Sequence, residues 1–570
     1  MKDFRLSAIF SDNMVLQQGK RTAVFGEAED GTKISVRFLD KEVNAIAEGG
    51  SFKLWLPAMK ATDISEAGTE GMLNIGSDMI VTAELPDNPD GSAEEKIIRK
   101  IFKNVVVGEV WLAGGQSNME FELQNMTGGK EILEGIDVEN AEYSNYVRFY
   151  YTQKKAFIDE DFLKSEAETG WDTFSADNSK CWSAAGFLYG RILAAKLGVI
   201  VGIVGCNWGG TSASAWIDRD AILSDESTAV YVTEYDEQVK GKSLEQQKKE
   251  YAEYEISIAE WDRAAAPIWE KNPRISWEDI QKLLGPNLYP GPMGAYNPFR
   301  PAGLYECMIS RIMPYTLRGF IYYQGESDDH RPESYYRLFS ILIKKWREYF
   351  EDDTLSFLAV QLPCHRYFAD PDKKNWCIIR EAQMQVFKDG LADGIAVAMD
   401  AGEFSEIHPK DKRAVADRLA RQALYKVYNV MDEKEAFGPL LAGAEISDEA
   451  VVLHFDHAEE GFIIKNINAS DDPVAHETDI INNDNIIGFE IAGEDMKFYP
   501  ANVSCNIYNE EKREYIKTGS FDNGRMNDII LSSPDVKAPK AVRYLWTNYG
   551  TVSLFGKTTG IPAAPFNISD

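Results

Sequence analysis

The sequence predicts an α/β protein in which a parallel β-sheet, sandwiched by helices, lies between an N-terminal and a C-terminal β-domain. Two observations predict this class. The middle of the chain alternates helix-period segments with solid apolar runs, which are VVVGEVWLA, VIVGIVG, LRGFIYY, LSFLAVQL and GIAVAMD. Both ends of the chain instead alternate apolar and polar residues over short runs separated by Gly, Asp and Pro, as antiparallel strands do.

The order of these patterns predicts three domains within the 570 residues. Residues 1–104 form the N-terminal β-domain, with strand patterns such as ISVRF and FKLWLP. Residues 105–436 form the α/β domain, in which AAGFLYGRILAAKLG predicts a crossover helix with one apolar face that ends at Gly198. A Glu-, Lys- and Gln-rich stretch around 219–285 predicts a helical insertion, and residues 437–570 form the C-terminal β-domain.

The charge of the chain limits its partners. Lys and Arg number 60 against 91 Asp and Glu, which leaves a formal net charge of −31. The summed field repels polyanions, so we expect neither nucleic acid nor an anionic membrane as a partner. No run of about 18 apolar residues and no signal-peptide pattern occurs, and we therefore expect a cytoplasmic protein.

Polar residues follow four of the five apolar runs, where α/β proteins bind their ligands. The first run leads into GGQSNME, which places Ser117 at a strand-to-helix turn, as a nucleophile or as an N-cap. The second leads into GCNWGGTSASAW, where the Gly209–Gly210 backbone could donate to an oxyanion or form a plain tight turn. A phosphate loop would need a Lys-Ser/Thr pair, which is missing there.

The third and fifth runs supply acid and base candidates. YYQGESDDH places Gln324 and Glu326 in a dense polar group, which favours a site over a solvated loop. His408 precedes Pro409 at the start of a predicted helix, whose partial positive charge favours a neutral imidazole. Nucleophile, oxyanion donors, orienting acid and base are thus all present. The six cysteines contain no C-x-x-C pair and no three-ligand metal set stands out, so we expect neither metal nor cofactor.

Four strings, GEVWLAGGQSNME, WGGTSASAW, YYQGESD and IHPKDK, resemble those of the sialate O-acetylesterase family in the SGNH-hydrolase superfamily. FSDNMVLQQ near the start and AVRYLWTNY with GIPAAPF near the end extend the resemblance over nearly the whole chain. It implies an SGNH-type parallel sheet sandwiched by helices and flanked by β-domains.

The resemblance also implies roles for individual residues. Ser117 would be the nucleophile and His408 the general base. The amides of Ser117 and Gly210, with a side-chain amide near Gln324 or Asn118, would form the oxyanion hole. Gln116 is a further candidate for the oxyanion hole or for substrate binding. Many SGNH enzymes carry an aspartate three residues before the histidine, where this chain has Ser405. The sequence offers three carboxylates in its place, ranked Glu326, Glu406 and Asp400.

The implied function is a serine esterase that removes O-acetyl groups from carbohydrates through an acyl-enzyme, with O-acetylated sialic acids as the first substrate. An acetylxylan or other plant-glycan acetylesterase is the alternative enzyme, and a non-catalytic carbohydrate-binding protein is the alternative class. In each case the ligand is a small O-acetylated sugar or oligosaccharide. Whether the chain forms a homo-oligomer stays open.

Overall fold

The computed structural model describes residues 4–64, 74–86, 97–136, 141–272, 274–368, 370–447, 449–468, 470–521 and 524–569. Their strands are β1 (Arg5–Leu6), β2 (Val15–Gln17), β3 (Thr22–Glu27), β4 (Lys33–Phe38), β5 (Lys41–Ile46), β6 (Ser51–Leu56), β7 (Ser77–Glu84), β8 (Ile97–Gly115), β9 (Val147–Tyr151), β10 (Trp171–Thr173), β11 (Val201–Asn207), β12 (Gly319–Tyr323), β13 (Ser356–Gln361), β14 (Gly394–Val397), β15 (Leu440–Ile446), β16 (Val451–Asp456), β17 (Phe462–Ile467), β18 (Phe489–Ala492), β19 (Phe498–Pro500), β20 (Asn502–Ser504), β21 (Asn506–Asn509), β22 (Glu514–Lys517), β23 (Asp528–Ser532), β24 (Ala541–Tyr544), β25 (Val552–Gly556) and β26 (Phe566–Ser569).

The α-helices of the same residues are α1 (Ser117–Glu120), α2 (Gly129–Leu133), α3 (Glu160–Glu166), α4 (Ala184–Leu197), α5 (Arg219–Leu223), α6 (Glu226–Val239), α7 (Leu244–Lys271), α8 (Trp277–Leu284), α9 (Ser310–Ile312), α10 (Pro332–Tyr349), α11 (Asn375–Lys388), α12 (Arg413–Lys426) and α13 (Glu433–Ala436). Within the described chain, no helix combines the length and the apolar character that a membrane crossing requires.

The chain divides into two compact units. The first contains Met1–Tyr254, Pro290–Gln324 and Ser340–Phe357, and the second contains Glu255–Tyr289, Gly325–Phe339 and Leu358–Asp570. In the first unit the strand order is β10-β9-β11-β8-β12. Strands β9, β11, β8 and β12 run parallel to one another, whereas β10 is antiparallel to β9. This parallel pairing confirms the α/β class. The three domain boundaries, the SGNH-type sandwich and the flanking β-domains stay predictions.

Strand β8 belongs to two different sheets, and its burial changes after Asn104. Its first eight residues alternate exposed and half-buried positions and pair antiparallel with β7. From Val105 onward every residue is buried, and the strand runs between the parallel neighbours β11 and β12. Asn104 has φ 56° at the change, a value that asparagine tolerates better than most residues.

Helix α4 is the predicted crossover helix, and it packs against β9 and β11. Its N-cap Ser183 accepts a hydrogen bond from the Gly186 amide, and it ends at Gly198 in the left-handed conformation. The helix is buried more completely than one apolar face requires, because all residues from Ala184 to Arg191 are buried. Ile192 of this helix is only half-buried.

The second unit contains the parallel pair β13 and β14, with α11 and α12 packed on β14. Its C-terminal part forms three four-stranded sheets, ordered β15-β16-β23-β20, β22-β21-β17-β25 and β19-β18-β24-β26. The stretch 219–285 contains helices α5 to α8, as its composition indicates. Its part in the second unit has a small core of its own, in which Trp261, Ala265 and Ile280 are buried together.

Candidate active site

Three parallel strands of the first unit end level with one another and place polar residues at one edge of the sheet. Gly115, the last residue of β8, is aligned with Asn207 of β11 and with Tyr323 of β12. Hydrogen bonds continue the alignment past the strand ends, since the Gln116 amide donates to the Tyr323 carbonyl at 3.1 Å. Ser117, the Gly209–Gly210 turn and Gln324 therefore follow neighbouring strand ends.

Ser117 begins helix α1 directly after a turn that requires glycine. Gly115 has φ 133°, and a Cβ atom at this position would lie 2.1 Å from the Tyr323 carbonyl oxygen. Gln116, the N-cap residue, and Asn118 are both buried, with 2% and 0% of their surfaces exposed. Ser117 between them is half-buried. The turn thus leaves the serine accessible while its two neighbours are packed inside.

The Gly209–Gly210 turn lies against Ser117. A Cβ atom at Gly209 would be 3.2 Å from the Ser117 Cβ, so a larger side chain would crowd the serine. Within the described part of the chain, neither the Ser117 amide nor the Gly210 amide donates to a protein acceptor. Such amides can donate to an oxyanion without first breaking a bond to the protein.

The side-chain amide of Gln324 fastens this edge of the sheet. Its Nε2 donates to Gln116 Oε1 at 3.3 Å and to the Thr211 carbonyl at 3.2 Å, while its Oε1 accepts from Tyr322 Oη at 3.4 Å. Both N–H groups of the amide are therefore engaged with protein acceptors. Gln324 therefore holds together the turns that follow β8 and β11. Its role as an oxyanion donor, like that of Asn118, stays a prediction.

Glu120 and Lys154 support the same turn and were missed in the sequence. Glu120 Oε2 accepts from the Gly209 amide at 2.6 Å, and Oε1 is paired with Lys154 Nζ. Lys154 Nζ also lies 5.3 Å from the centre of the Trp208 ring. Glu120 is three residues after Ser117 in the GGQSNME string, which is the one signal that could have found it.

In the second unit, the loop between β14 and α12 carries His408 and two of the acid candidates. Glu406 Oε1 accepts from the His408 amide at 2.9 Å and lies 3.6 Å from His408 Nδ1. Ser405 has φ 63° where the loop folds back, and Glu403 and Glu406 pair across that turn. Asp400 binds Arg418 through both oxygens, at 2.6 and 2.8 Å. Glu406 thus lies beside the imidazole, whereas Asp400 is paired with the guanidinium of Arg418.

Glu326, ranked first among the acid candidates in the sequence, lies in a buried turn of the second unit with 5% of its surface exposed. Among the carboxylates that raise the pKa of Lys412, Glu326 has the largest effect. Sequence reasoning missed Lys412, although it is part of the IHPKDK string. Lys412 is completely buried. Burial lowers its pKa to about 7, and Glu326, Glu403 and Glu406 oppose that shift.

His365 is a second buried titratable residue that the sequence did not single out. Its ring contacts the rings of Tyr367 and Trp376, with centroid distances of 4.5 and 5.1 Å. Burial lowers its pKa from 6.5 to about 4. Between these pH values, His365 is therefore neutral in the folded protein and protonated in the unfolded chain.

We expect His365 to make folding sensitive to mild acid. Because the folded pKa lies below the unfolded pKa, stability is lost as the pH falls from about 6.5 towards 4. The loss from pH 7.5 to pH 5 is about 2 kcal/mol for this one group. Thermal unfolding at both pH values should show a smaller decrease in Tm for His365→Asn than for wild type. Equal decreases in the two proteins would contradict the assignment.

Comparison with known proteins shows which proteins this chain resembles. Residues 293–423 match the family model described as carbohydrate esterase, sialic acid-specific acetylesterase. Sialate O-acetylesterase of Rattus norvegicus is 26% identical over 494 residues, covering 81% of this chain and 78% of the relative. The same enzyme of Pongo abelii is 24% identical and covers 99% of this chain and 92% of the relative.

Among solved structures, a carbohydrate acetylesterase from Xanthomonas citri shares the fold, with a TM-score of 0.66, 23% identity and 99% coverage of both chains. Within the described residues, no three His, Cys, Asp or Glu side chains are grouped as a metal site would need. The family model and the curated relatives together show that the chain is similar to the sialate O-acetylesterases, and they support a carboxylic-ester hydrolase that acts as a carbohydrate acetylesterase.

Proposed function

We propose that the protein is a serine esterase that removes O-acetyl groups from carbohydrates through an acetyl-enzyme. One observation carries the proposal. Ser117 is accessible at the end of a buried strand, the Gly209 turn lies against it, and the Ser117 and Gly210 amides have no acceptor within the described chain. A hydroxyl beside uncommitted amides suits attack on a carbonyl carbon.

In the first half of the reaction, Ser117 Oγ attacks the acetyl carbonyl carbon and its proton passes to His408 Nε2. The carbonyl oxygen becomes an oxyanion, which accepts hydrogen bonds from the Ser117 and Gly210 amides. The tetrahedral intermediate then expels the sugar oxygen, which takes the proton from His408. In the second half, water attacks the acetyl-enzyme by the same route and acetate leaves.

We propose Glu406 as the acid that orients His408. Its Oε1 accepts from the His408 backbone amide and lies 3.6 Å from Nδ1, so Glu406 is the carboxylate beside the imidazole. In the proposed reaction Nδ1 carries a proton towards Glu406, and Nε2 accepts the proton of Ser117. This reverses the order in which the sequence ranks Glu326 and Glu406. The proposal includes the SGNH-type sandwich and flanking β-domains that the family resemblance implies.

The names of the curated relatives support O-acetylated sialic acids as substrates. A second candidate is a neutral acetylated glycan such as acetylxylan. The loop that carries His408 favours it, since Glu406 lies beside the imidazole and would repel a sugar that carries a carboxylate. Both substrates use the same chemistry at the acetyl group.

Acetate release from each substrate tests the proposal and separates the two candidates. Wild-type protein is incubated with O-acetylated sialic acid, with acetylated xylan and with an aryl acetate, and acetate is quantified. We expect hydrolysis of the aryl acetate and of at least one carbohydrate, together with an acetyl group on the peptide that contains Ser117 after rapid acid quenching. Failure to hydrolyse any of the three would leave carbohydrate binding without catalysis as the function.

A further inference from the structure

Two segments of the second unit lie side by side next to the proposed base. The His408 loop, residues 398–412, connects β14 to α12, and the supporting segment, residues 362–368, follows β13. Their backbones approach so closely that a Cβ atom at Gly402 would lie 1.9 Å from the Cys364 carbonyl oxygen. Because a close-packed interior transmits strain, a shift of the supporting segment also moves the His408 loop.

The supporting segment holds a strained turn of the His408 loop. Ser405 has φ 63°, in the left-handed region, where a serine persists only if its surroundings impose that conformation. Its amide donates to the Arg366 carbonyl at 2.9 Å. The ring centre of Phe404 lies 5.0 Å from that of Phe368 and 5.6 Å from the Arg366 guanidinium carbon. These contacts impose the turn that leads to His408.

Asn548, from the C-terminal part of the chain, fixes the supporting segment with its backbone and its side chain, and has 4% of its surface exposed. Its carbonyl accepts from the His365 amide at 2.9 Å, and its own amide donates to Asp372 Oδ1 at 2.9 Å. Its side-chain Oδ1 accepts from the Trp376 amide at 3.2 Å, and Nδ2 donates to Asp370 Oδ2 at 3.2 Å. These bonds from one buried residue span the connection from β13 to α11.

Arg380 of α11 fastens the same two parts of the chain. Its guanidinium donates to the Leu362 and Pro363 carbonyls, both at 3.0 Å. It also donates to the Thr547 and Asn548 carbonyls, at 2.8 and 2.7 Å. Because Arg380 has 1% of its surface exposed, these bonds are made away from water, where an unmade bond would be costly. The supporting segment therefore has a fixed position relative to Asn548.

We propose that Asn548 is a positioning residue, which acts through the supporting segment to hold the His408 imidazole where it can exchange protons with the serine and the leaving group. The inference rests on the proposed role of His408 as general base. A displacement of about 1 Å can cost about 100-fold in rate, even when the substitution is far from the chemistry. Asn548 lies in AVRYLWTNY, a string to which the sequence assigned no part in the site.

The test compares two acetates that need His408 to different degrees. Ethyl acetate expels an alkoxide, which takes a proton from His408, whereas the nitrophenolate of para-nitrophenyl acetate leaves without one. In Asn548→Ala of the full chain, we expect kcat/KM to fall about 100-fold for ethyl acetate and about tenfold for para-nitrophenyl acetate. The ratio of the two values should therefore fall about tenfold. A smaller amount of folded protein would lower both values equally and leave the ratio unchanged.

An exchange of two side chains tests the contact itself. Asn548→Asp places a second carboxylate against Asp370, and the ratio should fall as in Asn548→Ala. In Asn548→Asp/Asp370→Asn, an amide and a carboxylate face each other again in exchanged positions, and the ratio should return towards wild type. Gly402→Ala separates the two backbones directly, so it should lower the ratio even if the Asn548 variants do not fold.

Asn482→Ala is the matched control in the same unit. Its side-chain amide accepts from the Phe489 amide at 2.9 Å and donates to the Phe489 and Ala501 carbonyls at 2.9 and 2.8 Å. Asn482 is therefore as fully bonded as Asn548, but to another part of the chain. Its loss should lower Tm and leave the ratio of the two kcat/KM values at the wild-type level.

An unchanged ratio in folded Asn548→Ala or in Gly402→Ala would overturn the inference. An exchange variant with no higher ratio than Asn548→Asp would do the same, because the contact would then not be the cause. The failure of the proposed function has a different signature, since it would appear as activity retained in Ser117→Ala, whatever the ratio in the Asn548 variants.

Discussion

Replacement of Ser117 by alanine is expected to lower kcat for acetate release by a factor of about 10⁴ or more, with the fold unchanged. The reason is chemical, because alanine has no nucleophile and the remaining amides can only bind an oxyanion that no longer forms. The site itself should stay intact, since Gly115, Gln116 and Gln324 fix the turn without using the serine hydroxyl. The measurement is steady-state hydrolysis of an aryl acetate, together with the circular dichroism spectrum and Tm.

Ser224→Ala provides a matched control in the same unit. Ser224 is exposed and donates to the Ala221 carbonyl at 2.6 Å at the end of α5, so its loss should leave kcat unchanged. Activity of Ser117→Ala within about tenfold of wild type would end the serine-esterase proposal. Mass spectrometry adds a second readout, because an acetylated peptide that contains position 117 should appear in the wild-type protein and not in the variant.

Replacement of Glu406 by glutamine is expected to reduce kcat by a factor of about 10² to 10⁴ with little change in KM. A glutamine amide cannot stabilise the imidazolium, and its N–H group can bind Nδ1 and favour the wrong tautomer. Glu326→Gln is expected to cost much less, about tenfold, because Glu406 is the carboxylate that lies beside the imidazole. Both variants are measured with the same aryl acetate at the pH of highest wild-type activity.

The ranking of the two losses decides which carboxylate completes the triad. A large loss in Glu326→Gln with a mild one in Glu406→Gln would restore the order given by the sequence. Mild losses in both would favour a Ser117–His408 dyad in which a backbone carbonyl, or Asp400 after release from Arg418, orients the imidazole. Asp400→Asn is therefore measured together with the two glutamine variants. We expect it to lower Tm and to leave kcat nearly unchanged, because the buried Arg418 loses its charged partner.

The sequence by itself determined the α/β class and the position of the serine turn. Strands buried on both faces need unbroken apolar residues, and β8, β11, β12, β13 and β14 were all visible as such runs. The turn at Ser117 was visible because two glycines follow an apolar run directly before it in GGQSNME. The structure gives the reason for one of them, since a Cβ atom at Gly115 would lie 2.1 Å from the Tyr323 carbonyl oxygen. Both signals are local, since they depend on which residue types a strand or a turn tolerates.

The tertiary structure alone decided how the charged residues are paired. Glu120 accepts a hydrogen bond from the Gly209 amide, 89 positions away. Lys412 and Glu326 are both buried in the second unit, although they come from different segments of the chain. The same holds for the acid candidates, where Arg418 occupies Asp400 and Glu406 faces His408. Strand register and side-chain packing set these pairings, and a carboxylate in the sequence has the same local pattern whichever cation or imidazole it finally meets.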